Sequence, residues 1–366
     1  VMVRDRCIYI KRDDLLRLPD SNVNGNKARK LLSLSLLPVE DFPDVIVSYG
    51  GPQSNSMVAL AAVVKQKDDE ARRTQQPHNE NYEPEDIGEE DDNEDSLRDT
   101  PSNKPRLKRF VYYTKKLPRH LRDQPCGNLL RATSLGMELR QISPDAYKHF
   151  FGSEVDGGSV FPPKELLPPL PGNSAWVPQG VACGVANLGV CRLAHEIASF
   201  WQQQGKGKPL VVVLPGGTGT VALFLQRALC EIQKIKSNQK SPLGHISVCA
   251  IPCVGDTSYL CRQMLGLDLA TGGSGVEKDL PNMMEVVNQR FGEPTKEILD
   301  TFNEMKNEHG VFLDLLYGAP AWTLLLRSGL AFPQDDRQIM YIHCGGLEGI
   351  STQLTRYKHK GLVDAR

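Results

Sequence analysis

Residues 209–229, PLVVVLPGGTGTVALFLQRAL, constrain this chain more than any other stretch. A run with three consecutive valines reads as a buried strand, a glycine turn closes it, and an apolar helix opens at once. The same order recurs at 44–65, where DVIVSYGG leads into PQSNSMVALAAVVK, with Met57, Ala61 and Val64 at helical spacing. Strand, tight turn and helix in alternation require a parallel α/β sheet, because a parallel neighbour is reached only through a crossover.

The rest of the chain extends this alternation. CIYIKRDDLL reads as a strand entering a charged turn, and NGNKARK (24–30) as a turn that opens a leucine-rich helix. RFVYYT, HISVCAIPCV and RQIMYIHCGG read as further strands, and GNLLRATSLGMELRQI as a helix running toward a strand. AWVPQGVACGVANLGVCRLAHEIASF begins as a loop and becomes a helix, and the proline- and glycine-rich stretch Gly152–Gly172 reads as an irregular crossing. Residues 66–106 interrupt the pattern. They are acidic and poor in apolar side chains, so they are expected to be a disordered insertion, with an acidic interaction segment as the alternative. Arg106, Lys108, Arg109, Lys115 and Lys116, which follow, are expected to neutralise the insertion. No internal repeat is visible. The sequence predicts a larger domain from 1–43 and 176–366, and a smaller α/β domain from 44–175 that carries the insertion.

Bulk properties narrow the function classes. The 366 residues are 40% hydrophobic and 24% charged, as in a soluble globular protein. A formal net charge of −1 gives no field to hold phosphates, so no nucleic-acid partner is expected. No apolar stretch approaches the roughly 18–20 residues of a membrane helix. The opening VMVRDRCIYI has neither an initiator methionine nor a signal-peptide core, which suggests a trimmed start. Nine cysteines are scattered; Cys249 and Cys253 lack a matching pair at zinc-site spacing, so no metal is expected. The odd count and the absence of glycosylation sequons point to a reducing compartment, the cytoplasm or an organelle.

Ligands in open α/β sheets collect at the carboxyl ends of strands. Three glycine turns lie there: GGPQSN (50–55), PGGTGT (215–220) and HCGG (343–346). Gly216, Gly217 and Gly219 allow a tight bend before a helix, whose free amides suit a phosphate, with Thr218 and Thr220 adding hydroxyls. The turn lacks the GK[ST] ending of a nucleotide loop, and a plain packing turn is the alternative. Ser54 and Asn55 either cap a helix or hold a carboxylate and a phenolic oxygen. Cys344 is either a small buried side chain or a contact for a ring nitrogen. A lysine, an anion cradle and small polar groups at strand ends together suggest pyridoxal phosphate, which needs an amine, a phosphate pocket and a ring partner.

Several segments resemble one family in the same order. KRDDL (11–15), GNKARKL (25–31) and GGPQSN (50–55) are similar to motifs of the D-cysteine desulfhydrase and 1-aminocyclopropane-1-carboxylate (ACC) deaminase family, as are GNLLRATSLGMEL, VPQG…GVANLGV…AHEI, DLLYG and IHCGG. The resemblance implies a tryptophan-synthase-β-like fold, fold type II of the pyridoxal phosphate enzymes, with two mostly parallel open sheets flanked by helices. It implies that Lys27 is the Schiff-base lysine and that Lys30 and Gly216–Thr220 approach the phosphate. Asn55 would bond the phenolic oxygen, Ser54 the substrate carboxylate, and Tyr317 would transfer a proton. The chain departs from the family at Gly318, where ACC deaminases carry a glutamate on the ring nitrogen, and in Tyr-Gly-Ala-Pro, where desulfhydrases read Tyr-Thr-Gly-Lys. Cys344 stands where related dehydratases place a serine or cysteine on the ring nitrogen. A thiol there weakens the electron sink, which suits elimination from D-cysteine better than opening of a cyclopropane. The expectation is a lyase acting on a small amino acid, in a homodimer. A serine/threonine dehydratase, a cofactor-binding homologue without turnover, and an interaction protein working through the acidic segment are the alternatives.

Overall fold

The structure, a computed structural model, describes residues 1–3, 5–75, 107–152, 173–237, 243–286, 290–331 and 336–363. In chain order the strands are β1 (Met2–Val3), β2 (Arg6–Arg12), β3 (Val45–Tyr49), β4 (Arg109–Lys115), β5 (Glu138–Ile142), β6 (Ser174–Trp176), β7 (Leu210–Gly216), β8 (Ile246–Pro252), β9 (Asn282–Met283) and β10 (Gln338–His343). They form a six-stranded sheet in the order β1-β2-β10-β7-β8-β9 and a four-stranded sheet in the order β5-β4-β3-β6. Every pairing is parallel except β1 with β2. The mostly parallel α/β architecture with flanking helices is therefore the one the sequence predicts.

The strands read as buried runs because helices cover both faces. Leu210–Leu214 are buried throughout, as are all five residues of β3. On one face of the larger sheet, Leu210, Val212 and Leu214 join Leu223 and Phe224 of the helix Thr220–Ser237 and Val190 and Trp201 of the helix Asn187–Gln204. On the other face, Val211 and Val213 meet Phe302 and Trp322. The smaller sheet packs Ile46 and Tyr112 against Leu60 and Val63 of the helix Asn55–Gln75.

Three features differ from the sequence reading. First, the helix Gly25–Leu36, expected with the larger sheet, lies against that sheet's helix Asn187–Gln204 and also puts Leu31 and Leu34 into the core of the smaller one. Each such leucine is worth about 1.5–3 kcal/mol of burial, and its apolar stripe faces the helix Asn55–Gln75. Second, residues 66–75 of the expected insertion continue the helix that begins at Asn55. Their charges pair along the helix, Lys65 with Asp69, Lys67 with Glu70 and Arg72 with Asp68, and Ala71 is buried. The remainder, 76–106, lies outside the described residues, as does the crossing beyond Gly152 as far as 172. Third, two of the basic residues after the insertion, Lys108 and Arg109, serve the small sheet itself. Lys108 is buried and donates to Asp44 at 3.0 Å and to the Phe42 carbonyl at 2.8 Å, while Arg109 grips Glu138. Among the described residues no helix is long and apolar enough to cross a membrane.

Candidate active site

A cavity of about 400 Å³ opens at the carboxyl ends of β3, β7 and β10, between the two sheets. Its lining brings together the residues expected to hold cofactor or substrate: Lys27, Lys30, Ser54, Asn55, Gly216–Thr220, Tyr317 and Cys344.

Lys27 is placed by the backbone beneath it. Gly25 has φ +63°, and a Cβ there would collide with the Cys344 carbonyl oxygen. The Asn26 N–H donates to that same oxygen at 2.8 Å, so the helix start is joined directly to the turn after β10. One turn on, Arg29 is buried and bonds Asp13 at 2.9 Å and Glu196 at 2.6 and 2.7 Å. Lys11 bridges the same two carboxylates. The KRDD segment thus works as an anchor for the lysine helix, a role the sequence did not disclose. His343, buried beside Asp14 at 3.7 Å, accepts the Gly345 N–H on Nδ1 and donates from Nε2 to the Phe312 carbonyl. Burial holds its pKa below the usual value, so the ring is a neutral brace for the Cys344–Gly346 turn.

Among the described residues the Lys27 amine makes no hydrogen bond and no ion pair. Burial lowers its pKa, with Cys344 and Asp314 opposing. Lys30 donates to the Gly180 carbonyl at 2.7 Å, and burial, then the neighbouring Lys27, push its pKa well down. Burial pushes the Cys344 thiol up to about 12, so it stays protonated.

The polar wall is built from pairs. Ser54 Oγ lies 2.8 Å from Ser56 Oγ, and Ser56 accepts the Gly180 N–H. Asn55 Oδ1 accepts from Asn128 Nδ2 at 2.7 Å, which leaves the Asn55 amide nitrogen to donate toward the cavity. Asn128 also bonds Gln53 through its own N–H and amide. Opposite, Thr218 and Thr220 share a 2.7 Å hydroxyl contact at the head of the helix Thr220–Ser237. Gly219 has φ +70°, and a side chain there would strike Met264. The glycines let the turn stay flush with the cavity wall.

Asp314 and Asn128 were missed from the sequence as single residues, although both lie in segments that carried the family resemblance. Asp314 is buried, and its oxygens accept from the Leu316, Tyr317 and Gly318 N–H groups at 2.8–3.0 Å. Burial raises its pKa to about 6 against those three donors. It fixes the backbone of Tyr317, whose ring lies 3.3 Å from the position a Cβ on Gly217 would take.

No protein-family profile matches the chain. Over 348 residues, 94% of this chain and 73% of the relative, it is 24% identical to the bifunctional D-cysteine desulfhydrase/1-aminocyclopropane-1-carboxylate deaminase, mitochondrial, of Arabidopsis thaliana. Over 355 residues, 95% of this chain and 91% of the relative, it is 23% identical to a Thermotoga maritima protein provisionally named 1-aminocyclopropane-1-carboxylate deaminase. The crystal structure of an ACC deaminase homologue superposes with a TM-score of 0.60 at 18% identity, covering 97% of this chain and 89% of that one. These likenesses run nearly the whole length and bear out both the family resemblance and the fold expected from it.

Proposed function

We propose that this relative of the D-cysteine desulfhydrases and ACC deaminases is a pyridoxal phosphate-dependent lyase that removes the amino group and β-substituent of a small amino acid, D-cysteine first among them. The observation that carries this reading is Lys27: an amine that makes no hydrogen bond or ion pair among the described residues, its pKa lowered, set in a cavity wall beside a glycine-rich anion cradle.

The residues fit the cofactor. Lys27 would hold it, Lys30 and Gly216–Thr220 would take its phosphate, the Asn55 amide would donate to its phenolic oxygen, and the Cys344 thiol would face its ring nitrogen. When bound, pyridoxal phosphate supplies an aldehyde for a primary amine and a ring that takes up the electron pair left at Cα. The chain's own residues do the rest. Ser54 and the amino end of the helix Asn55–Gln75 bind and orient the substrate carboxylate. Lys27, whose ammonium form burial disfavours, accepts the Cα proton. The Cβ–S bond then breaks with its electron pair on sulfur, and Tyr317 holds a proton at the substrate. One water is consumed overall, and pyruvate, ammonia and hydrogen sulfide are released.

A thiol beside the ring nitrogen supports this elimination more than cyclopropane opening, which relies on a stronger electron sink. The test is the cofactor-loaded protein assayed for sulfide and pyruvate with D- and L-cysteine, and for 2-oxobutyrate with ACC. Sulfide and pyruvate in equal amounts from D-cysteine are expected. Conversion of ACC as fast as any D-amino acid, or no product from any of them, would overturn the proposal.

A further inference from the structure

Three basic side chains line the cavity: Lys27, Lys30 and Arg356. The first two belong to the site already described. Arg356 comes from the helix Ile350–His359 and stands exposed at the rim. Among the described residues its guanidinium makes no hydrogen bond and no ion pair. Asp314 is the one acidic residue among those lining the cavity, and its oxygens already accept three backbone N–H groups. Nothing in the lining opposes the arginine charge.

The surroundings keep space for that side chain. Gly292 has φ +67°, and Arg356 Nη1 lies 2.8 Å from the point a Cβ on Gly292 would occupy. Phe291, next in the chain, sets its ring 5.4 Å from that of Tyr317. One turn earlier on the arginine's helix, Thr352 lies 3.3 Å from the point a Cβ on Gly127 would take, and that point also meets Gln53. This helix face therefore runs from the Gln53–Ser54 wall to the Phe291–Tyr317 wall. A substrate carboxylate at Ser54 leaves the arginine for a second anion.

We propose that Arg356 widens the substrate range beyond D-cysteine to small amino acids that carry a negatively charged β-substituent, such as a phosphate ester or an S-sulfonate. This rests on the lyase reading above. A guanidinium offers paired N–H donors that match a tetrahedral oxyanion, whereas the single sulfur of cysteine presents nothing for them. The elimination keeps its balance. Lys27 takes the Cα proton, the Cβ–O or Cβ–S electron pair leaves with phosphate or thiosulfate, and water yields pyruvate and ammonia.

Binding is read first, without turnover, from the visible absorbance of the cofactor-loaded protein titrated with aspartate against asparagine and glutamate against glutamine, in both enantiomers. In wild type the charged member of a pair binds about fivefold tighter, the upper end for an ion pair at an exposed site. In Arg356→Gln that ratio falls to within about twofold, and Arg356→Lys restores part of it. The KM for O-phosphoserine or S-sulfocysteine rises in Arg356→Gln relative to that for cysteine, while melting temperature checks the fold. Equal binding within the pairs in wild type, or a ratio that survives in Arg356→Gln, overturns this inference alone. An absorbance that no amino acid perturbs, with no pyruvate from any substrate, overturns it together with the lyase reading.

Discussion

Two lysines withdrawn from bulk solvent mark opposite ends of the smaller sheet, and their surroundings could hardly differ more. Lys108, at the amino end of β4, spends its charge on Asp44 and the Phe42 carbonyl, and its own N–H donates to Asp68 at 2.9 Å. Lys27, at the carboxyl ends of the strands, has the Cys344 thiol, the Asp314 carboxylate and the Lys30 amine nearby and, among the described residues, bonds none of them. Removing an amine from water has a cost that a partner offsets. Where the fold provides the partner, the lysine is a fastening. Where it leaves the cost unmet, the amine stays neutral more readily and becomes available for chemistry.

The sharpest way to break this contrast is to remove each amine. Lys27→Met should cut turnover by at least about a thousandfold, since it deletes both cofactor anchor and base, and abolish the bound cofactor's absorbance. The same variant, cofactor-free, should melt no lower than wild type. The sign follows from the lowered pKa: the unfolded chain binds a proton that the folded amine resists, so Lys27 costs stability below its unfolded pKa, increasingly as pH falls. Wild-type rates should likewise fall on the acid side, as Lys27 is protonated. A melting temperature that drops in Lys27→Met would show the amine to be a fastening after all.

Lys108→Met should do the reverse. Removing the cation that faces Asp44 should cost about 3–5 kcal/mol in denaturant unfolding, with kcat/KM of the folded fraction kept. Gly25→Ala lies between the two classes. A Cβ forced against the Cys344 carbonyl at positive φ should cost about 1–3 kcal/mol and also shift Lys27, so both stability and kcat should fall. Asn128→Ala should cost less, about 1 kcal/mol, and appear mainly as weaker cofactor affinity, because Asn55 is then free to turn. Replacing 76–106 with a short linker should leave kcat/KM unchanged. The segment leaves after Gln75 and returns at Leu107, before the amino end of β4, whereas the cavity is at the other end of that sheet.

How far the sequence could be read depended on whether the signal was local. Gly216–Thr220, Ser54 and Asn55 could be placed at one cavity because glycine turns at the carboxyl ends of parallel strands converge there, and Lys27 because the family motif surrounds it. The partners that orient them were not. Asn128 meets Asn55 from 73 positions away, and Glu196 meets Arg29 from 167; no periodicity links such pairs. The helix past residue 66 was hidden for another reason. Its charges resembled those of a solvated segment, and their pairing at three- and four-residue intervals emerges only once the helix exists. The two-residue strands β1 and β9 and the three-residue β6 are too short to carry an alternation signal.

The joint between Asn26 and residue 344 is made by main-chain atoms alone. Exchange of the side chain at 344 for serine or threonine would leave the carbonyl, and so the position of Lys27, where it is. The fold thereby separates the placing of the reactive amine from the electronic tuning of whatever it holds. A lineage, or an engineer, can vary the second in single steps without losing the first.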